Sequence, residues 1–428
     1  MSTDVKAEAA TLATSDSKVR WIFVAPTLLV IWVVSLLEKI GVGIIATNKQ
    51  FLADMHLTGR SGLVGALVTT LLFSYGIGFF VWGPIVDKIG PRKSGIIALV
   101  AWGVSTAIAA VSPNAFILIL SRVLLGLSEA AFWPVSNSLT ARWFPYSERG
   151  RAKSIWINGT VVGPAIAGYV LFSLLGWLDW RGVFWAMTVL AVLVCLPLFA
   201  FFVKDDPAED SRVSSFERSI IYADQTNSDI ESNAIKIPKN IFRSTNFWLI
   251  SLSNTGCLIA YFSLATFFPA YLKTGIHFSS ATTSNYLLLA YGIALVALVL
   301  VGIRVDKTNK KAVWAVGSFI ACAFLLAISQ WIKGSALVAL VICLAIVFVN
   351  ITTFINHGLT HSMSTREKIG RDNGFMMGVS SILSAYGPTA TGSFITLGAG
   401  NFHYAFYFLA AVTAIAGILN IALMKRGF

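Results

Sequence analysis

The sequence predicts an all-α membrane protein with twelve transmembrane helices in two six-helix halves. Three observations lead there. Of the 428 residues 56% are hydrophobic and only 12% charged, with a mean hydropathy of +0.75; an average soluble domain carries about 25% charged residues. Apolar runs near the ~20 residues a bilayer requires occur twelve times. The lysines and arginines collect in alternate connections between those runs, as they do when one set of loops stays inside the cell.

In chain order, a tail of residues 1–20 precedes the first run, 21–46. That run is too long for the apolar part of a leader, lacks a small-residue cleavage site and contains Glu38 and Lys39, so it reads as a span. Runs 62–86 and 92–111 flank GPIVDKIGPRK, and 115–140 contains RVLLGLSEAAFWPV. Run 152–176 holds Gly159, Gly163 and Gly168, which permit close helix approach. Trp177, Trp180 and Trp185 mark a membrane interface around the start of run 182–203. The one long polar interruption, 204–245, reads as a solvated, partly flexible linker. Runs 246–271, 282–303, 311–331, 335–360, 371–395 and 402–424 complete the second half. The expected units are therefore the tail 1–20, a six-helix bundle over 21–203, the linker 204–245, and a second bundle over 246–428.

With the N-terminus inside, 25 of the 32 lysines and arginines lie on the cytoplasmic side, five outside, and two within spans. This predicts both termini in the cytoplasm and accounts for a net charge of +12 by membrane topology, so no nucleic-acid partner is implied. Cys195, Cys257, Cys322 and Cys343 lie in apolar runs with neither metal-ligand nor paired spacing, and read as small buried hydrophobes. No metal or cofactor is expected, and no phosphate loop or nucleophile–base set points to an enzyme.

The halves repeat. GPIVDKIGPRK (83–93) follows the second run and GIRVDKTNKK (302–311) the eighth, a duplication typical of transporters. The first of these resembles the loop motif of the major facilitator superfamily, G-x-x-x-D-[RK]-x-G-x-[RK]-[RK], met by Gly83, Asp87, Lys88, Gly90, Arg92 and Lys93. The resemblance extends over essentially the whole chain. It implies two six-helix bundles, alternating access, and a cytoplasmic gate that includes Gly83, Asp87 and Arg92.

Only two of the 20 acidic residues, Glu38 and Glu129, lie well inside spans, joined there by the bases Lys39 and Arg122. Each such charge costs about 2.5–3.5 kcal/mol at a helix centre on insertion scales. They are expected to pair and to face the interior. Arg122 and Glu129, seven residues apart, share a helix face but lie about 10 Å apart along the axis, so each requires another partner. Glu38 and Lys39 point about 100° apart, and one of them is expected to meet Glu129 or Arg122. These charges read as a positive site for an anion beside carboxylates that carry a proton. An anion that screens the cation favours protonation of the neighbouring acid, and each ligand then improves the affinity for the other.

RVLLGLSEAAFWPVSNSLTARWFPYSERGRA also resembles the fourth-span signature of the anion:cation symporter branch of that superfamily, through Arg122, Gly126, Glu129, Ala130, Pro134, Trp143, Phe144, Pro145, Glu148, Arg149 and Ala152. The branch moves organic anions such as sugar acids and aromatic acids with protons. Its usual Asp-Arg dipeptide in span 1 is Glu38-Lys39 here, and lysine cannot grip a carboxylate bidentately. The resemblance implies substrate contacts at Lys39, Tyr75 and Arg122, proton coupling through Glu129 and Glu38, and gate roles for Glu148 and Arg149. In the second half, Asn254 with Tyr261 and Asn350 with Thr353, His357 and His361 form polar stripes on spans 7 and 10; Asn254, Asn350 and His357 are the expected substrate contacts there. Ser380, Ser381 and Ser384 line span 11.

The expected protein is a proton-coupled symporter of a small organic anion, with sugar acids first and aromatic or other carboxylates next. It would act as a monomer in the lipid bilayer of the inner membrane. An organophosphate antiporter is the alternative; it usually carries a base in span 7, and none stands inside that span here. A non-transporting membrane sensor would leave the four buried charges without a purpose.

Overall fold

A computed structural model of the chain describes residues 18–222, 241–308, 310–363 and 369–427. Eleven helices among these residues are long and apolar enough to cross a membrane: α1 (Arg20–Ile45), α2 (Ser61–Ile89), α3 (Pro91–Ala110), α4 (Ala115–Trp143), α5 (Ser147–Trp177), α6 (Trp180–Phe202), α7 (Thr245–Gly275), α8 (Ser280–Val305), α9 (Lys311–Ile328), α10 (Ser335–Thr360) and, last in the chain, α12 (His403–Met424). The twelfth span, α11, is broken into Ile369–Ser384 and Gly387–Leu397. Pro388 causes the break: it has no N–H for the Ser384 carbonyl, and its ring crowds that carbonyl.

The peripheral α3 and α6 pack against each other and their own half, as do α9 and α12, whereas α2 packs on α11, α5 on α8 and α1 on α7 to join the halves. Apolar side chains such as Val296, Leu300 and Phe324 project from the outer helices. An apolar belt of this extent requires a bilayer around it.

One end of the molecule carries the basic loops; the other is called the far end here. At the far end the halves meet backbone to backbone. A Cβ on Gly43 would stand 2.4 Å from the Thr266 carbonyl oxygen, one on Gly65 2.2 Å from that of Pro388, and one on Gly392 2.2 Å from that of Ser61. At the basic end side chains make the contact instead: Trp133 of α4 stacks on His357 of α10 with ring centroids 5.6 Å apart, and Phe80 of α2 meets Phe375 of α11 at 5.3 Å.

The first part of the linker, expected to be solvated and partly flexible, is folded against the first bundle. Glu217 accepts hydrogen bonds from the backbone N–H groups of Val19 and Arg20 and from the Arg20 guanidinium at 2.8 Å. Asp205 accepts from the Arg92 backbone N–H at 2.8 Å, and the Lys204 carbonyl accepts from the Trp143 indole at 2.9 Å. Residues 204–222 thus tie the starts of α1 and α3 to the end of α4. The rest of the expected flexible stretch, 223–240, lies outside the described residues.

Candidate functional site

The site is built on a break in α4. The helix runs regularly over Ala115–Glu129 and resumes at Phe132. Pro134 prevents the usual bond to the Ala130 carbonyl. The Ala131 N–H turns back to the Ser128 carbonyl, which leaves the Leu127 carbonyl without its helical partner. The Trp82 indole of α2 donates to that carbonyl at 2.8 Å, as a buried carbonyl requires. Glu129, the last residue before the break, is thereby turned towards α1.

There it meets Lys39. The ammonium stands 2.8 Å from Glu129 Oε2, and the two side chains are 3% and 0% exposed. Lys39 also donates to Ser35 Oγ at 2.7 Å and lies 4.3 Å from the centroid of the Tyr75 ring and 5.8 Å from that of Trp32. Tyr75 thus offers its face to the cation and packs edge-on against Phe79.

Glu38 turns the other way. It accepts a hydrogen bond from the Trp102 indole of α3 and feels the charge of Arg122. The Arg122 guanidinium lies 5.0 Å from the Phe184 ring of α6 and is fully buried, and none of its three nitrogens reaches an acceptor among the described residues. The four charges therefore form two layers: Lys39–Glu129 beside Tyr75 and Trp32, and Glu38–Arg122 behind, against the peripheral helices. The expectation that one member of the dipeptide meets Glu129 holds for Lys39. Arg122, expected from the sequence among the substrate contacts, packs its guanidinium on Phe184 of α6.

In the second half, Asn254 is fully buried; its amide donates to Met377 Sδ at 3.7 Å, and its Oδ1 has no donor. Asn350 gives one amide N–H to the Ile346 carbonyl of its own helix. Thr353 pairs with Cys257 at 3.0 Å. Ser380 donates to the Ser251 carbonyl at 2.9 Å and joins α11 to α7. His357 does not stand with these groups: its Nδ1 is 2.9 Å from Asn373 Oδ1 and its ring covers Trp133. The side chain of His361 lies outside the described residues.

Several of the expected gate residues have partners within the first half. Glu148 pairs with Arg20 at 3.0 Å. Arg149 donates to the Ala141 and Phe144 carbonyls, and Arg92 Nη2 to the Ala200 carbonyl at 2.8 Å. Asp87 is exposed, and a Cβ on Gly83 would meet nothing within 4 Å. Gly90 of the motif holds φ +87°, which suits glycine, and lets Asp205 approach. Contact between the halves at this end passes through Trp133–His357 and Phe80–Phe375, which the sequence motifs do not mark.

One bond across the halves answers a carbonyl that a helix proline leaves open. Pro164 in α5 has no N–H for the Thr160 carbonyl, and the Tyr261 hydroxyl of α7 donates to that oxygen at 3.0 Å. A proline inside a helix always leaves a carbonyl four residues earlier, so the sequence did hold a signal for this bond.

Two pseudo-symmetric helical bundles joined along a seam, with an ion pair buried at the centre of one, define a membrane transporter rather than an enzyme. The family model described as Major Facilitator Superfamily matches residues 27–388, and the chain belongs to that superfamily. It is 22% identical over 395 residues to the "Probable L-galactonate transporter" of Escherichia coli (strain K12), covering 89% of this chain and 86% of that protein. It is 21% identical over 413 residues to the "Hexuronate transporter" of Bacillus subtilis (strain 168), covering 94% of each. Among solved structures it is similar to a bacterial homolog of the human lysosomal transporter Spinster in an inward-facing and occupied conformation. The TM-score there is 0.66 at 15% identity, over 95% of this chain and 97% of that one.

Proposed function

We propose that the protein carries a small organic anion, with sugar acids the first class, together with protons by alternating access around the Lys39–Glu129 pair. The observation that carries this reading is the pair itself, closed at 2.8 Å and sealed from solvent. A buried ion pair is a poor device for stability alone, because apolar residues of the same volume often serve as well. As a ligand site it has a use: a substrate carboxylate competes with Glu129 for the ammonium. Glu129 displaced from Lys39 is an uncompensated buried charge, and taking up a proton relieves it. Anion and proton then bind together.

The substrate carboxylate is held at Lys39, with the Glu38–Arg122 layer behind the pair. In this reading Arg122 acts on Glu38, which serves as a second proton-exchanging group coupled to Glu129. Tyr75 covers the ammonium, and Asn254, with its free carbonyl oxygen, offers an acceptor for a substrate hydroxyl from the second half. The names of the relatives, L-galactonate and hexuronate transporters, support sugar acids. The excess of basic residues at one end supports a cytoplasmic position for both termini in the inner membrane.

The test is uptake into proteoliposomes of labelled sugar acids and aromatic acids, with and without an inward proton gradient. Gradient-dependent accumulation of a sugar acid is expected. Uptake indifferent to the gradient would overturn proton coupling, and accumulation of aromatic acids alone would overturn the substrate class.

A further inference from the structure

Three tryptophans from three helices pack together on the basic-end side of the central pair. Trp32 of α1 stacks on Trp156 of α5 at 5.5 Å, and Trp133 of α4 meets both edge-on at 5.6 and 5.8 Å. Two of the indole N–H groups are satisfied: Trp32 donates to Ser136 Oγ and Trp156 to Thr140 Oγ1, each at 3.1 Å. The third, on Trp133, is buried, with the residue only 5% exposed, and has no acceptor among the described residues. A buried donor without a partner is costly, because it has given up its bond to water and gained none in return.

Beside it stands a cation that the central pair does not use. Lys153 of α5 holds its ammonium 5.7 Å from the Trp133 ring and 5.9 Å from the Trp156 ring, and no carboxylate pairs with it among the described residues. His357 stacks on the Trp133 ring, close enough to feel the Lys153 charge, with Nδ1 engaged by Asn373. Donors and positive charge thus converge on one place where the halves meet, and the acceptor is lacking. Lys39 reaches the same cluster through Trp32.

We propose that Lys153 and the Trp133 indole N–H form a second carboxylate site at the basic-end seam, a station that an anion occupies between the central site and the aqueous phase. One lysine sets the ligand as a monoanion. The indole walls suit the C–H face of a sugar ring, as aromatic faces do for apolar groups. To be reached, the site requires Trp133 and His357 to part, so its occupant holds the thin gate ajar. The proposal rests on the transport reading for the identity of the anion, but not for the existence of the site.

The experiment is fluorine NMR of the full chain labelled with 5-fluorotryptophan, with Trp133→Phe identifying one resonance. The probes are sodium D-glucuronate and the neutral sugar D-glucose. The Trp133 resonance should shift saturably with glucuronate and not with glucose. The shift should persist in Lys39→Ala, where the central site is disabled, and in Lys153→Arg. Lys153→Met should weaken it at least tenfold. No shift in the wild type, an equal shift in Lys153→Met, or loss of the shift in Lys39→Ala would each overturn the site. A retained response together with absent proton-driven uptake supports this site while overturning the symport reading alone.

Discussion

Replacing Glu129 by glutamine removes one charge from the central pair and keeps its shape. At 2.8 Å and an effective dielectric constant near 20, the pair attraction is about 6 kcal/mol before desolvation. Breaking such a pair from one side costs about 3–5 kcal/mol net. A substrate anion meets that cost whenever it takes Lys39 from an ionised Glu129. In Glu129→Gln the competitor is gone, while Lys39 keeps Ser35 Oγ at 2.7 Å. If only a third of the net cost is recovered, anion affinity rises about tenfold, since 1.4 kcal/mol is a factor of ten. The pH dependence separates this from a general improvement. In the wild type, binding that takes up one proton weakens up to tenfold for each unit of rising pH wherever Glu129 is ionised in the empty protein. The variant should lose that slope. Binding to purified protein across about pH 5.5 to 8.5 reads both effects, and uptake into proteoliposomes should show exchange without accumulation. A variant that keeps the wild-type slope, or still concentrates substrate, would refute the assignment of coupling to Glu129.

Lys39→Ala should abolish anion binding in the same assay, and unchanged affinity would remove Lys39 from the site. Tyr261→Phe leaves the Thr160 carbonyl without a donor, a loss of about 1–1.5 kcal/mol. It should shift the balance between open and closed seams about tenfold, read by spin-label distances across α5 and α7. Pro164→Ala restores the internal helical donor, so adding Tyr261→Phe to it should change little. In the linker, the Arg212 guanidinium bonded to Asp210 at 2.6 Å holds that carboxyl below its ordinary value. A depressed carboxylate stabilises above its unfolded value, near pH 4, and the contribution fades as pH falls below that. Asp210→Asn should therefore lower the melting temperature at neutral pH, and the difference from wild type should close in acid.

The spans were legible because bilayer thickness acts on every helix alike, and no long-range information is needed to count apolar residues. The charges Glu38, Lys39, Arg122 and Glu129 were legible for a related reason: hydrocarbon tolerates so few that each becomes visible. Their partners were not. Periodicity gave the 100° between Glu38 and Lys39, but only packing decides which of them faces α4 and which meets Trp102. Lys153 was hidden among the basic residues that set topology, and Trp133 among the ring-bearing residues of an aromatic-rich chain. The tie between Glu217 and Arg20 spans 197 residues, beyond the reach of any local pattern. The break in α11 was signalled by Pro388 in a run that hydropathy alone reads as continuous.

The seam at the far end has a mechanical consequence. Where Gly43 faces Thr266 and Gly65 faces Pro388, main chain touches main chain, and no side chain is available to swing aside. That door moves as a slab: it is shut, or the two halves have tilted as rigid bodies. At the basic end the closure is two pairs of rings, Trp133 on His357 and Phe80 on Phe375, that turn about their own bonds. The two doors therefore differ in stiffness, and a transporter built this way slips through the softer one. Unproductive leakage of substrate should arise at Trp133–His357, and enlarging or shrinking those rings tunes thrift against speed without touching the central charges.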